Sequence, residues 1–529
     1  MASLILIQAL IILISLAIYR RRTSHGKAPL PPGPPPLPII GNLYDMPPPE
    51  TAEYKHWLKH KDVYGPISSV RLFNQVIVLI HDKQAAHDIC TRHSGRPASK
   101  FAFDVCGAGK WLVGQQPGET FRRYRKMISV QFGSKEAVSK FNSLQDMETK
   151  RLLVKMANEP EKVVETLYTH SSSLIFKIVY GYSIDPSKPD ALVNLMHRVM
   201  ARLPFMLAPL TWAVDMMPLL DHLPQGFPGA SFKRLGRQYK TELYAAAQVP
   251  FDFIIDRIHD ARYQNSYVSK LCQKHGFPES RAPTLEQETV KWTATSLCAG
   301  AVETISPAIK GFILAMIMFP DVQRKAHEEF DRVVGPNRLP SYEHQPHLPY
   351  IKAIVSEVLR WAPVAPIGIP HMAKEDTLYQ GYLIPKGAIL LPSIWWILHD
   401  PSVYQRPNAF EPERFMEPRN EPDPRSEAFG YGSRICPGRV LTEPSLFLAI
   451  ARILAVFSIA KAVVNGVEIE VELELSPGSP CHPKDFAYSI RPRSESMANL
   501  VREIEQDVPW ADGDSANLSR EIHDILSKE

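Results

Sequence analysis

The stretch FGYGSRICPG, Phe429–Gly438, sets a single cysteine among three glycines, an arginine and a proline, directly ahead of an apolar run. Glycine at 430 and 432 lets the backbone take positive φ and come close to a ligand. Pro437 suits the first position of a helix, so Cys436 is expected at a helix N-terminus, where free N–H groups and the dipole favour a thiolate. A thiolate is a soft metal ligand. No partner ligand stands near it in sequence, so a cofactor has to fill the other coordination positions. Haem does this with its ring nitrogens and leaves an axial site for the protein. The plainer alternative is a small buried hydrophobe. The glycine, arginine and proline around Cys436 weigh against it.

Two other places carry residues that need explaining. In GAVET, Gly300–Thr304, an acid stands beside an alcohol in an otherwise apolar helical stretch. Both groups are costly to bury without partners. Pro307 has no N–H for the carbonyl of Glu303, and its ring crowds that carbonyl. The helix is therefore expected to open at Glu303–Thr304 and leave room for oxygen and water; the alternative is a core helix with a surface glutamate. Glu357 and Arg360, spaced i, i+3, share one face of a second helix.

These residues need elements to hold them. Thr284-Leu285-Glu286-Gln287 fits a capping box and predicts a helix from Thr284 to Phe319, stopped by Pro320. It is about 50 Å long, enough to cross a domain. A second helix is predicted over Pro349–Trp361, and most of 115–330 has helical periodicity. Val70–Ile80 reads as a β-hairpin broken at Asn74–Gln75, and short apolar pieces over 363–395 read as small strands. Pro444 falls inside the helix that follows Cys436, where a bend is expected. The tail beyond Arg493 is charged and ends in an amphipathic stretch.

Composition narrows the class. The chain has 529 residues, 45% hydrophobic and 22% charged, with 48 prolines and a net charge of +4. That is globular, with ample core material. Basic residues form only short clusters, which argues against nucleic acid as a partner. Cys90, Cys106, Cys272, Cys298, Cys436 and Cys481 form no CxxC pair, so a reduced, cytosol-facing chain is expected. Residues 3–19, SLILIQALIILISLAIY, are apolar enough for a short membrane-spanning helix. Arg20, Arg21 and Arg22 follow and would face the cytoplasm; a signal peptide would carry its charge on the other side. A stiff, proline-rich hinge completes 20–45, and one domain is expected over 46–529.

The spacing of Phe429, Gly432, Arg434, Cys436 and Gly438 resembles the FxxGxRxCxG pattern of the haem-thiolate monooxygenases, the cytochrome P-450 superfamily, with all five positions filled. Glu357-Val358-Leu359-Arg360 resembles the family's ExxR motif, and FEPERF, Phe410–Phe415, its PERF segment. GAVET resembles the oxygen-activation motif [AG]Gx[DE]T, with Ala301 in place of the second glycine. The likeness covers nearly the whole chain, and its overall character resembles fungal microsomal members near the O-methylsterigmatocystin oxidoreductase-like group.

The resemblance implies a mainly α fold with small β-sheets, preceded by one N-terminal transmembrane helix. It implies haem held by Cys436 as the metal ligand, with Phe429, Gly432 and Gly438 framing the cofactor. Arg125, His371 and Arg434 are implied as partners of the haem propionates. Glu357, Arg360 and Arg414 are implied as a structural network behind the haem, and Thr304 and Glu303 as the catalytic pair that holds dioxygen and feeds protons. In FRRYRK the family usually shows WxxxR; Phe121 replaces the tryptophan and removes an indole N–H. Arg122, Arg123 and Lys126 form either a solvated face or a docking face for an acidic electron donor. Thr442 stands where alanine is usual.

The implied activity inserts one oxygen atom from O2 into a hydrophobic small molecule, with electrons from NADPH through a reductase. The implied place is the endoplasmic reticulum membrane, single-pass, with the catalytic domain toward the cytoplasm and fungal secondary metabolism as its setting. Pocket candidates are Phe101–Trp111, Leu203–Trp212, Ala299, Val364–Ile369 and Phe486. One rival is an isomerase or dehydratase of the same fold that needs no reductase; such members tend to lose the acid–alcohol pair. A second is a non-catalytic haem-binding membrane protein, and no signalling domain for it is visible.

Overall fold

A computed structural model describes residues 28–529, apart from 49, 98, 208–211, 261, 276–283, 511 and 528–529. The apolar segment Ser3–Tyr19 and the arginines after it lie outside the described residues. The longer helices are α1 (Glu53–Tyr64), α2 (Lys83–His93), α3 (Glu119–Phe132), α4 (Asn142–Asn158), α5 (Val163–Tyr180), α6 (Ala191–Leu207), α7 (Ser231–His259), α8 (Leu285–Met318), α9 (Pro320–Val333), α10 (Pro349–Trp361), α11 (Arg439–Val456) and α12 (Glu495–Asp507). The largest sheet has five short strands: β1 (Ile67–Leu72), β2 (Gln75–Ile80), β3 (Ser94–Pro97), β4 (His371–Ala373) and β7 (Ile389–Pro392). Their order is β1–β2–β7–β4–β3, and only β2 and β7 run parallel. Between β4 and β7 a hairpin of β5 (Thr377–Tyr379) and β6 (Tyr382–Ile384) stands apart.

α8 is the spine. Its capping box forms as expected: Gln287 N–H donates to Thr284 Oγ1 at 3.2 Å, and Thr284 N–H to Gln287 Oε1 at 2.7 Å. Pro320 ends it and opens α9. Its apolar 18-residue window has mean hydropathy 1.5 and is 72% buried. Helices α3, α5, α7, α10 and α11 all pack against it, which explains residues apolar on every side. α10 spans Pro349–Trp361 as predicted.

Two local expectations are corrected. The β1–β2 turn falls at Phe73–Asn74, one residue earlier than predicted, with Phe73 at φ 50°. α8 stays helical through Pro307, so the lost backbone bond at the Glu303 carbonyl does not open the helix. α11 remains helical through Pro444, the position where a bend is expected. The proline-rich segment is hydrogen-bonded to β1. Ser69 N–H donates to Pro32 O at 2.8 Å, and the Ser69 hydroxyl to Pro31 O at 2.6 Å.

One buried ionic network ties α10 to the segment that follows the sheet. Glu357, Arg360 and Arg414 are each 0% exposed. Arg360 grips Glu357 with two N–H groups, Nε at 2.7 Å and Nη2 at 2.8 Å. Its remaining N–H groups go to the carbonyls of Leu398, Pro407 and Ala409. Arg414 Nε donates to Glu357 Oε1 at 2.9 Å, and Glu411 N–H adds a third donor there at 2.8 Å. Burial and the two guanidinium groups hold the His399 imidazole down to about 3, so no further cation enters. Arg414 Nη1 also donates to Glu421 Oε2 at 2.6 Å, so two guanidinium groups face two carboxylates. Such a cluster is tolerated because every charge is matched; removing one partner strands the others in a low dielectric. Glu357→Ala is therefore expected to cost about 3–5 kcal/mol, measured as a lower denaturant midpoint and poor recovery of folded protein. A cost below about 1 kcal/mol, the range of an exposed ion pair, would contradict this.

Candidate functional site

The cysteine loop is closed by its own backbone. Cys436 N–H donates to the Phe429 carbonyl at 2.8 Å, and the Arg434 and Ile435 amides turn back to Tyr431 and Gly432. Gly432 sits at φ 55°, and a Cβ there would lie 2.7 Å from Thr91 Cα on α2. No side chain fits between the loop and that helix. Tyr431 fixes the other flank, donating to Glu427 at 2.6 Å.

Cys436 does not lead directly into the first helical turn. Gly438 is the N-cap and α11 begins at Arg439, so Pro437 lies ahead of the helix rather than at its first position. Loop closure through Phe429 O outweighs the proline preference. The electrostatic expectation survives in another form: the amides of Gly438 and Arg439 point at the sulfur, and Arg125 and Arg439 are the nearby cations. Burial pushes the thiol up, and these four groups pull it back. Of the five other cysteines, all free and buried, none is faced by a cation; burial alone carries Cys90 up to about 12.

Three basic residues converge beside the loop. Arg125, on α3, donates from Nη1 to Ile435 O at 2.7 Å. Arg434 donates from Nη2 to Gln115 O at 2.7 Å, while its Nε and Nη1 are buried without a partner. His371, on β4, places Nδ1 2.5 Å from Ile369 O. A carbonyl only accepts, so Nδ1 carries the proton and the neutral ring has a lone pair at Nε2. Burial and the neighbouring Arg434 hold the His371 imidazole down to about 4. Burial, then Arg125, brings Arg434 down to about 10. None of the three has a carboxylate partner among the described residues.

Phe121 brings no N–H to this corner, but its ring lies under the Arg434 guanidinium, 4.1 Å from centroid to carbon. The Gln115 carbonyl and the Phe121 face were not foreseen, because both contacts join segments far apart in the chain. The basic residues Arg122, Arg123 and Lys126 lie on the same helix, with Arg123 paired to Glu119 at 2.8 Å.

The acid–alcohol pair sits on α8. Thr304 Oγ1 donates to Gly300 O at 2.7 Å. Gly300 is exposed although its helix is central, and a Cβ on it would meet nothing within 4 Å. Glu303 Oε1 is buried without a hydrogen-bond partner. Burial raises its carboxyl above the usual range, opposed by His197 and Tyr168, the groups that face it from α6 and α5. The Tyr168 and His197 rings are 5.0 Å apart. Ala299 and Val302 share one apolar cluster with Leu441 of α11, which brings the pair's helix to the cysteine's helix. Thr442 donates to Gly438 O at 3.0 Å, bracing the N-cap below the sulfur.

The apolar candidates divide. Phe101, Trp111, Leu203 and Ala299 share that cluster, with Phe101 stacked on Trp212 at 3.7 Å. Val364 and Phe486 pack against the core behind α8, and Ile367 belongs to a small cluster with Tyr54 of α1. Residues 208–211 lie outside the described residues.

The donor set fits haem. A largely buried sulfur is cradled by two amides, and the Arg434 guanidinium keeps two buried N–H donors unsatisfied. Open space lies beside Gly300. A flat group with one axial position and anionic side arms answers all three.

Comparison with known proteins agrees. The sequence profile of the cytochrome P450 family matches residues 31–488. The chain is 40% identical over 526 residues to the cytochrome P450 monooxygenase CLM2 of Gibberella zeae, covering 97% of this chain and 99% of that one. It is 40% identical over 508 residues to the multifunctional cytochrome P450 monooxygenase af510 of Aspergillus fumigatus, covering 94% and 95%. It is 36% identical over 501 residues to the O-methylsterigmatocystin oxidoreductase of Aspergillus flavus, covering 93% of each. The cysteine loop, the buried Glu357 network and these matches together make the chain a member of the cytochrome P450 family, a haem-thiolate oxidoreductase that incorporates oxygen from O2.

Proposed function

We propose that the chain hydroxylates a hydrophobic small molecule of fungal secondary metabolism, at the cytoplasmic face of the endoplasmic reticulum, with electrons from NADPH through a membrane reductase. The observation that carries this is the pairing of one amide-cradled sulfur, Cys436, with a buried acid and an alcohol on the adjoining helix. The apolar wall of Phe101, Trp111, Leu203 and Ala299 favours an apolar substrate. The secondary-metabolite setting rests on relatives such as the O-methylsterigmatocystin oxidoreductase. The membrane placement rests on the apolar segment Ser3–Tyr19 with Arg20–Arg22 behind it. Arg122, Arg123 and Lys126 are the cations available to an acidic electron donor.

In this reading Cys436 would hold the haem iron and Arg125 and Arg434 would donate to its carboxylates; His371, whose one N–H is spent on Ile369 O, would add a donor only when protonated at Nε2. Haem supplies the electron-transfer and dioxygen chemistry. The protein supplies shape and protons. Glu303 keeps its proton to higher pH than an exposed glutamate, because burial disfavours the carboxylate. Thr304 Oγ1 donates to the Gly300 carbonyl, so its lone pairs stay free to accept a proton from the acid's side.

Reconstitution with reductase, NADPH and labelled dioxygen tests the reading: product should carry one labelled oxygen and appear only with NADPH. Turnover without NADPH or reductase would instead identify an isomerase or dehydratase. Glu303→Gln is expected to lower product per NADPH about tenfold or more, with the lost electrons appearing as hydrogen peroxide. The acid acts while protonated and its carboxyl is raised, so wild-type coupling should fall as pH rises and the variant's should stay flat. Tyr168 and His197 are the titratable groups facing it, and Tyr168→Phe and His197→Gln serve as controls for their share of the profile. Identical profiles for wild type and Glu303→Gln would remove Glu303 from the proton path.

A further inference from the structure

An arginine side chain has many rotamers and five N–H donors, so one that must present two donors to a bound group needs something else to hold it. Among the described residues, the Arg434 guanidinium is held at two points. Its Nη2 donates to Gln115 O at 2.7 Å, and its guanidinium carbon lies 4.1 Å from the centre of the Phe121 ring. Nε and Nη1 remain buried and without partners. Phe121 is 7% exposed on α3, one turn before Arg125, so one helix face delivers the ring and the second cation to the same corner.

We propose that Phe121 is a positioning residue for the cofactor: its ring face fixes the Arg434 guanidinium so that Nε and Nη1 are aimed at an anionic edge of haem. This rests on the reading above, in which Arg434 meets a haem carboxylate. The ring is suited to the task because its negative face attracts a cation while offering no hydrogen-bond acceptor in the guanidinium plane. Nothing in the stack competes for the two free donors. An oxygen acceptor in the same place would draw one of them away. An aliphatic side chain would fill the space but leave only the Gln115 bond, about which the guanidinium can pivot. The phenyl also brings no donor of its own. All cofactor-directed N–H groups on this side therefore come from Arg434 and Arg125, and Phe121 acts through the first of them.

The test is the rate at which purified holoprotein loses haem to an excess of apo-globin scavenger, followed by absorbance without turnover. Four variants are compared: Phe121→Leu, Phe121→Tyr, Arg434→Gln and the double variant Phe121→Leu/Arg434→Gln. Leucine keeps an apolar side chain and removes the π face; tyrosine keeps the face. Phe121→Leu should speed haem loss several-fold, up to about tenfold for a desolvated stack, and Phe121→Tyr should stay near wild type. Arg434→Gln should lose haem faster still, and the double variant should match it, because the ring has nothing left to orient. Phe121→Leu indistinguishable from wild type overturns the proposal. So does an equal acceleration by Phe121→Leu in the Arg434→Gln background, which would make the ring ordinary packing. Unchanged haem loss in Arg434→Gln alone would overturn the underlying assignment of Arg434 itself.

Discussion

Burying the Cys436 sulfur sets opposing demands that much of the site exists to balance. A thiolate in a dry loop is disfavoured by desolvation, and the thiol is pushed up accordingly. The Gly438 and Arg439 amides and two guanidinium groups push the other way. The amides are fixed partial charges that need no reorganisation, and they exist because the loop closes on Phe429 O before the helix begins. Of these two cations, Arg125 and Arg439, the first also bonds Ile435 O; Arg434 lies outside the sulfur's set and keeps two donors for another anion.

The scaffold serves that balance at a distance. Gly432 is pressed against Thr91, so α2 sets one side of the loop. The Glu357–Arg360–Arg414 network ties α10 to the segment Pro412–Phe415, and Arg360 reaches four backbone carbonyl or carboxylate partners from a fully buried position. A network with every charge matched gives the loop a rigid floor. On the other side α8 carries Glu303 and Thr304, and its contacts with α11 pass through Ala299, Val302 and Leu441. The two helices are thereby positioned by ordinary apolar packing, which leaves the polar groups free for chemistry.

What the sequence disclosed follows from how local each interaction is. The capping box at Thr284, the α10 limits and the Glu357–Arg360 pair depend on neighbours three or four residues away, and all formed as read. Cys436 was legible because its glycines, arginine and proline adjoin it. The start of α11 was misjudged because the Phe429 carbonyl, not the proline's φ preference, fixes the backbone there. Pro307 and Pro444 remove one backbone bond each, yet dense packing keeps both helices intact. Phe121 looked like a loss, since only the fold brings its ring beneath Arg434. Tyr168 and His197 could not be found at all; each stands on a different helix from the acid it faces.

The chemistry of the site turns on the chemical form of one sulfur. The direct measurement is the carbon monoxide difference spectrum of the reduced membrane fraction for wild type and Cys436→Ser. A strongly red-shifted Soret band in wild type that disappears in the variant is the predicted result, and it identifies Cys436 as the thiolate ligand. A Soret band at the unshifted position in wild type, or one unchanged by Cys436→Ser, would contradict thiolate ligation through Cys436.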